Sequence, residues 1–263
     1  MDGLYGWTGK LLRVDLTRGV TWTEDTAQYV PQFVGGMGVA AKIAWDELKS
    51  GVDAFDPENM LFLMVGPLTG TLASGASRVL VAGVAPQQRP SVFSRSGMGG
   101  HWGAEIKYSG YDGIVIQGKS EKPVYLWVHD GEVEIRDASD LWGVGTYGVT
   151  NTLRGRHGPK TRIIACGQAG ERRSRIACIQ SETGNAAGQG GFGGLMGSKN
   201  LKAIAAHGTL GVRVADPKRL LDLCLHGSRE GAGPNIAGGR GWRMQIPENI
   251  QSRNRKCGYC ATP

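Results

Sequence analysis

Alternating apolar and polar positions over residues 10–16 and 20–23, separated by Thr17-Arg18-Gly19, predict two strands joined by a turn. Val39, Ala40, Ile43, Ala44 and Leu48 recur at helical spacing and predict a helix over 37–48. The apolar run 60–65, closed by Gly66-Pro67, reads as a buried strand, and 78–84 as another. A short helix is expected over 103–108, then strands at 113–116, 124–128 and 133–135. The last two are joined at Asp130-Gly131, where both residues tolerate positive φ. A helix near 146–154 and strands at 163–166, 176–179 and 201–206 follow. A further helix runs from Pro217, capped by Asp216, to about Leu225. Residues 227–255 are polar, rich in Gly and Arg, and without clear periodicity. Hairpins among interspersed helices predict an α+β fold with mixed sheets, not a doubly wound parallel sheet. The expected division is a domain over 1–210 and the start of a helical domain over 211–263. No short-period repeat is visible.

Composition changes this picture at a few points. Glycine supplies 43 of 263 residues, without a G-X-Y period, and clusters in Gly97-Met98-Gly99-Gly100 and Gly188-Gln189-Gly190-Gly191. Such runs serve tight turns, or bring backbone N–H groups close to phosphates. The formal net charge of +7 could serve an anionic cofactor or an acidic partner, but a solvated basic surface is the preferred reading. The basic residues are scattered and form no stripe interleaved with aromatics, so nucleic-acid binding is not expected. The first residues, Met-Asp-Gly-Leu-Tyr-Gly-Trp, have neither a basic nor an apolar leader region, and no apolar run reaches membrane-spanning length. A cytoplasmic chain without membrane insertion is therefore expected. Five cysteines, an odd number, point to thiols or metal ligands ahead of a disulfide framework.

Cys257-Gly-Tyr-Cys260 has the spacing that lets two thiolates reach one metal ion or cluster, though half a zinc site or a redox dithiol shares it. Cys166, Cys178 and Cys224 are single and set in apolar stretches, as buried thiols are. The first glycine run leads into the helix expected at Ala104-Glu105, where free N–H groups suit an anion. Neither run fits a P-loop or a dinucleotide-binding fingerprint. His101 follows Gly100; His129, His157, His207 and His226 fall in expected turns or loops without ligand spacing. Arg78, taken alone, reads as a surface arginine.

Several stretches, in order along nearly the whole chain, together resemble the aldehyde:ferredoxin oxidoreductase family. They include Gly6-Trp7-Thr8-Gly9, Gly66-Pro67-Leu68-Thr69-Gly70-Thr71, Gly99-Gly100-His101-Trp102-Gly103-Ala104-Glu105, Gly167-Gln168-Ala169-Gly170-Glu171 and Met196-Gly197-Ser198-Lys199-Asn200-Leu201. The resemblance implies two mixed β-sheets with flanking helices forming the base of a bis-pterin site. It implies a tungsten (or molybdenum) ion held by two pyranopterin dithiolenes, magnesium bridging the pterin phosphates, and a neighbouring [4Fe–4S] cluster. The implied reaction oxidises an aldehyde to a carboxylic acid and passes two electrons through the cluster to ferredoxin or another iron–sulphur carrier. A homodimer and a second polypeptide carrying the carboxy-terminal domains are further implied partners.

By the same resemblance, Arg78, Gly97, Met98, Gly99 and Gly100 match pterin-contacting positions, as do Asn185, Ala186, Gly188 and Gln189. Cys257 and Cys260 match the first two cluster ligands; no catalytic residue is assigned. Asn185 and Gln189 stand where well-known members have arginines, and Gly97 where they have asparagine. The family pattern continues Cys-x2-Cys-x3-Cys, but Cys260 is followed only by Ala261-Thr262-Pro263. One expectation is a UGA codon for selenocysteine after codon 263, which the nucleotide sequence would reveal. A fragment, a disrupted gene and a split subunit stand beside it. The 263-residue product alone is expected not to oxidise aldehydes.

Overall fold

The computed structural model describes residues 3–30, 32–73 and 75–232. A hairpin of β1 (Lys10–Asp15) and β2 (Val20–Asp25) is followed by α1 (Gly36–Glu47), β3 (Leu61–Met64), β4 (Val79–Val84), β5 (Phe93–Met98), α2 (Trp102–Tyr108) and β6 (Gly113–Gln117). The series then runs a second time. A hairpin of β7 (Val124–His129) and β8 (Glu132–Asp137) leads to α3 (Thr146–His157) and β9 (Arg162–Cys166). After an added α4 (Gln168–Glu171) come β10 (Ile179–Ser181), β11 (Ala186–Ala187), α5 (Phe192–Ser198) and β12 (Leu201–His207). The helix α6 (Pro217–Ala232) follows, with the Asp216 carboxylate accepting from Arg219 N.

The sheets have the orders β2-β1-β6-β3-β4-β5 and β11-β10-β9-β12-β7-β8. Adding six to each label of the first gives the second read backwards. Each sheet has one parallel pair, β1 with β6 and β7 with β12, and is antiparallel elsewhere. The expected mixed sheets are present, and they are two copies of one topology.

Period-two alternation assigns each strand's side chains to two layers. Leu12, Val14, Leu61, Leu63, Ile114 and Ile116 of the first sheet face Leu126, Val128, Ile164, Ile204 and Ala206 of the second, with Trp102 and Ile106 of α2 and Phe192 and Leu195 of α5 between them. On the outer faces, Phe62, Met64 and Val115 pack on Val39, Ala40 and Ile43 of α1, and Tyr125, Ile163 and Ala203 on Val149 and Leu153 of α3. Polar groups tie the copies through this core. Trp102 Nε1 donates to the Ile204 carbonyl at 3.1 Å. Lys199 Nζ donates to the carbonyls of Pro57, Asn59 and Gly118 at 3.1, 2.5 and 3.1 Å.

The strand expected at 176–179 begins only at Ile179, and Ile176 is 75% exposed. The reason lies in α5, which packs backbone against backbone on the segment before β10. A Cβ on Gly193, Gly194 or Gly197 would run into the carbonyl oxygens of Cys178, Ser174 and Gly170. Those glycines serve helix packing. The histidines also differ from expectation: His129, His157 and His207 end β7, α3 and β12, and His226 lies within α6. Among the described residues no helix is long and apolar enough to cross a membrane.

Candidate functional site

The edge strands β5 and β11 meet where the two copies adjoin. Gln189 N donates to Ser96 Oγ at 3.3 Å, and Gln87 and Gly190 exchange two hydrogen bonds, one from each backbone N–H. A Cβ on Gly99 would lie 3.1 Å from Asn185 Nδ2. One on Gly100 would lie 2.8 Å from Thr183 Oγ1, and Gly100 also has a φ of +98°, so a side chain is excluded there on two counts. The two segments, far apart in sequence, thus run antiparallel across one seam, Ser96 beside Gln189 and Gly99 beside Asn185.

The register relates them further. Val79 pairs with Met98 in the first copy, and Ile179 with Ala187 in the second. Gly97, Met98 and Gly99 therefore occupy the places of Ala186, Ala187 and Gly188. The candidate residues of the two glycine runs are structural counterparts, which the sequence did not reveal. Gly97 and Met98 belong to β5 and not to a loop, and the Met98 side chain is fully buried between the sheets, so only its backbone borders the seam.

Arg78 is exposed immediately before β4, and a Cβ on Gly97 would lie 3.1 Å from its Nη1. Among the described residues it forms no hydrogen bond or ion pair. An exposed guanidinium beside backbone stripped of side chains is set to receive an anion. Gly188 and Gln189 are exposed, and nothing lies within 4 Å of where a Gly188 Cβ would stand. Packing therefore does not require that glycine. Asn185 Nδ2 is turned to Thr183 Oγ1 at 3.2 Å. In the second copy the place before β10, equivalent to Arg78, belongs to Cys178. Cys178 lines a cleft of about 390 Å³ with Thr146, Gln168 and Gln180, so the cationic side chain is present on one copy only.

Sequence reasoning missed Glu182 altogether. Its side chain is 1% exposed and neither carboxylate oxygen is hydrogen-bonded among the described residues. Burial pushes its pKa up. His101 Nδ1 and Arg162 Nε stand 4.0 and 3.9 Å from it. No local motif marks such a residue; only the turn between β10 and β11 brings it inside.

Cys166 is a buried thiol as expected, and burial pushes its pKa up to about 12. Cys178 and Cys224 are only half-buried, because one borders the cleft and the other lies on the largely exposed α6. No group of three or more His, Cys, Asp or Glu suited to a metal ion occurs among the described residues. Cys257 and Cys260 lie outside them. The exposed Arg78 and the bare backbone at the seam fit a phosphate-bearing cofactor.

The family model for aldehyde ferredoxin oxidoreductase, N-terminal domain, matches residues 11–208. A tungsten-containing aldehyde ferredoxin oxidoreductase of Pyrococcus abyssi is 40% identical over 223 residues, covering 84% of this chain and 36% of that protein. An aliphatic sulfonate oxidoreductase, WOR-like subunit, of Pyrococcus furiosus is 38% identical over 78% of this chain and 35% of its own length. The solved active-site complex BamBC of benzoyl coenzyme A reductase with 1,5-dienoyl-CoA aligns with a TM-score of 0.83 at 38% identity, over 89% of this chain and 37% of that one. This chain thus spans little more than a third of the relatives it matches. It belongs to the aldehyde ferredoxin oxidoreductase family, and the matched stretch corresponds to that family's N-terminal domain.

Proposed function

We propose that this chain is the cofactor-holding base of a tungsten (or molybdenum) bis-pyranopterin oxidoreductase that converts aldehydes to carboxylic acids. The observation that carries this reading is the seam itself. Two counterpart backbone segments, 97–100 and 186–189, border one seam, with the Arg78 guanidinium, unpartnered among the described residues, beside the first. Backbone N–H groups and Arg78 would hold the pterin phosphates, with magnesium as a further counter-charge. When bound, the tungstopterin supplies the two-electron chemistry. The protein's task is to bind and orient it. Thiolates of Cys257 and Cys260 would contribute to a [4Fe–4S] cluster that passes electrons to ferredoxin. The division into a pterin-binding domain over 1–210 and a following helical domain belongs to the same proposal.

A second reading makes the chain a subunit of a larger assembly with another substrate, as the names of the sulfonate oxidoreductase subunit and of the BamBC complex describe for those proteins. Viologen-linked turnover distinguishes the two. Protein isolated without oxygen from its native source, with whatever polypeptide accompanies it, is expected to reduce viologen with aldehydes. Viologen-linked turnover of an aromatic acyl-CoA or a sulfonate, with none of aldehydes, would overturn the first reading in favour of the second.

A further inference from the structure

Three polar atoms at the seam, two of Glu182 and one of Arg162, are left without hydrogen-bond partners among the described residues. Glu182 lies in the turn closed by Gly184 N donating to the Ser181 carbonyl at 3.0 Å. A buried carboxylate persists only where nearby cations offset its desolvation. Two candidates face it at 3.9 and 4.0 Å, and they come from different copies. Arg162 opens β9 of the second copy; His101 of the first joins Gly97–Gly100 to α2.

The turn that carries Glu182 also carries Ser181 and Thr183, whose hydroxyls lie beneath Gly100, and leads to Asn185, which lies against Gly99. One carboxylate is thus placed to hold both sides of the cradle. We propose that Glu182 is a positioning residue that clamps segment 97–100 to segment 183–189 by pairing with His101 across the seam, and so sets the width of the cradle. Arg162 is the fixed member of the group and His101, with a side chain 27% exposed, the titrating one. Arg154 also faces Glu182, and Glu105 faces His101. Burial raises the glutamate pKa, while burial and Arg162 lower that of the histidine. That the cradle receives a cofactor rests on the function proposed above; the clamp itself does not.

The test uses the full chain with isotopically labelled histidine, followed by NMR. Glu182→Gln keeps the shape and removes the charge. The His101 titration is expected to move to lower pH by roughly half a unit or more. Amide exchange at 97–101 and 183–185 is expected to quicken by about tenfold while β1 and β7 keep their rates. Glu182→Asp, which restores the charge, is expected to fall between parent and Gln variant. An unmoved His101 titration, or exchange that quickens equally throughout the chain, overturns the clamp. Should Glu182→Gln fail to fold, His101→Gln reads the clamp from its partly exposed side: faster exchange at 183–185 supports it, and unchanged exchange there overturns it. A confirmed clamp in a native protein that holds no pterin would contradict the proposed function and leave the clamp standing.

Discussion

Lys199 carries an ammonium into the interior and meets three backbone carbonyls there. Burial pushes its pKa down from 10.5 to about 7, against the pull of Glu58 and Asp15. Between those values the unfolded chain binds a proton that the folded chain lacks, so stability rises with pH across that window and carries the full penalty below about pH 7. Lys199→Met is predicted to remove that rise. Denaturant midpoints at several pH values between about 7 and 10 check it; equal slopes in parent and variant would contradict the assignment. Arg78 gives the opposite case. It has no hydrogen-bond or ion-pair partner among the described residues, so Arg78→Ala should change stability by no more than about 0.5 kcal/mol. The same variant should retain several-fold less pterin after anaerobic isolation, measured by fluorescence of the oxidised pterin. Undiminished pterin would remove Arg78 from the site.

Among the elements, α5 departs furthest from what local sequence favours. Phe-Gly-Gly-Leu-Met-Gly-Ser is a poor helix former by propensity, yet it is helical because close backbone packing requires those glycines. Gly193→Ala should therefore destabilise the fold by about 1–3 kcal/mol despite the better propensity of alanine. Gly155→Ala, on the exposed side of α3 with nothing within 4 Å of the added carbon, should stabilise it by about 0.5–1 kcal/mol. Thermal denaturation of both variants tests the contrast, and shifts of the same sign would contradict it. The same physics explains which elements were legible. β3 and β7 are covered on both faces, so their apolar residues announce them. β5, with the sequence Phe-Ser-Arg-Ser-Gly-Met, and the two-residue β11 are edge strands without such a signal. The candidate site lies on those two edges. The glycine runs stood out by their composition, Arg78 could be singled out only through family resemblance, and Glu182 not at all.

At the scale of the molecule, the organising fact is the duplicated topology. Counterparts such as Leu12 and Leu126, or Trp102 and Phe192, keep their burial while their identities or surroundings differ, so no repeat shows in the sequence. Two copies joined at their edge strands present two equivalent backbone segments to one space, which suits a cofactor made of two like halves. Cys178 standing in the place of Arg78 makes the cradle electrostatically unequal, so the two halves would be held by different groups. The central claim is tested most directly by metal and pterin analysis of the protein isolated without oxygen from its native source. It predicts tungsten or molybdenum with two pyranopterins for each metal ion; protein that carries zinc alone, with neither metal and no pterin, would contradict it.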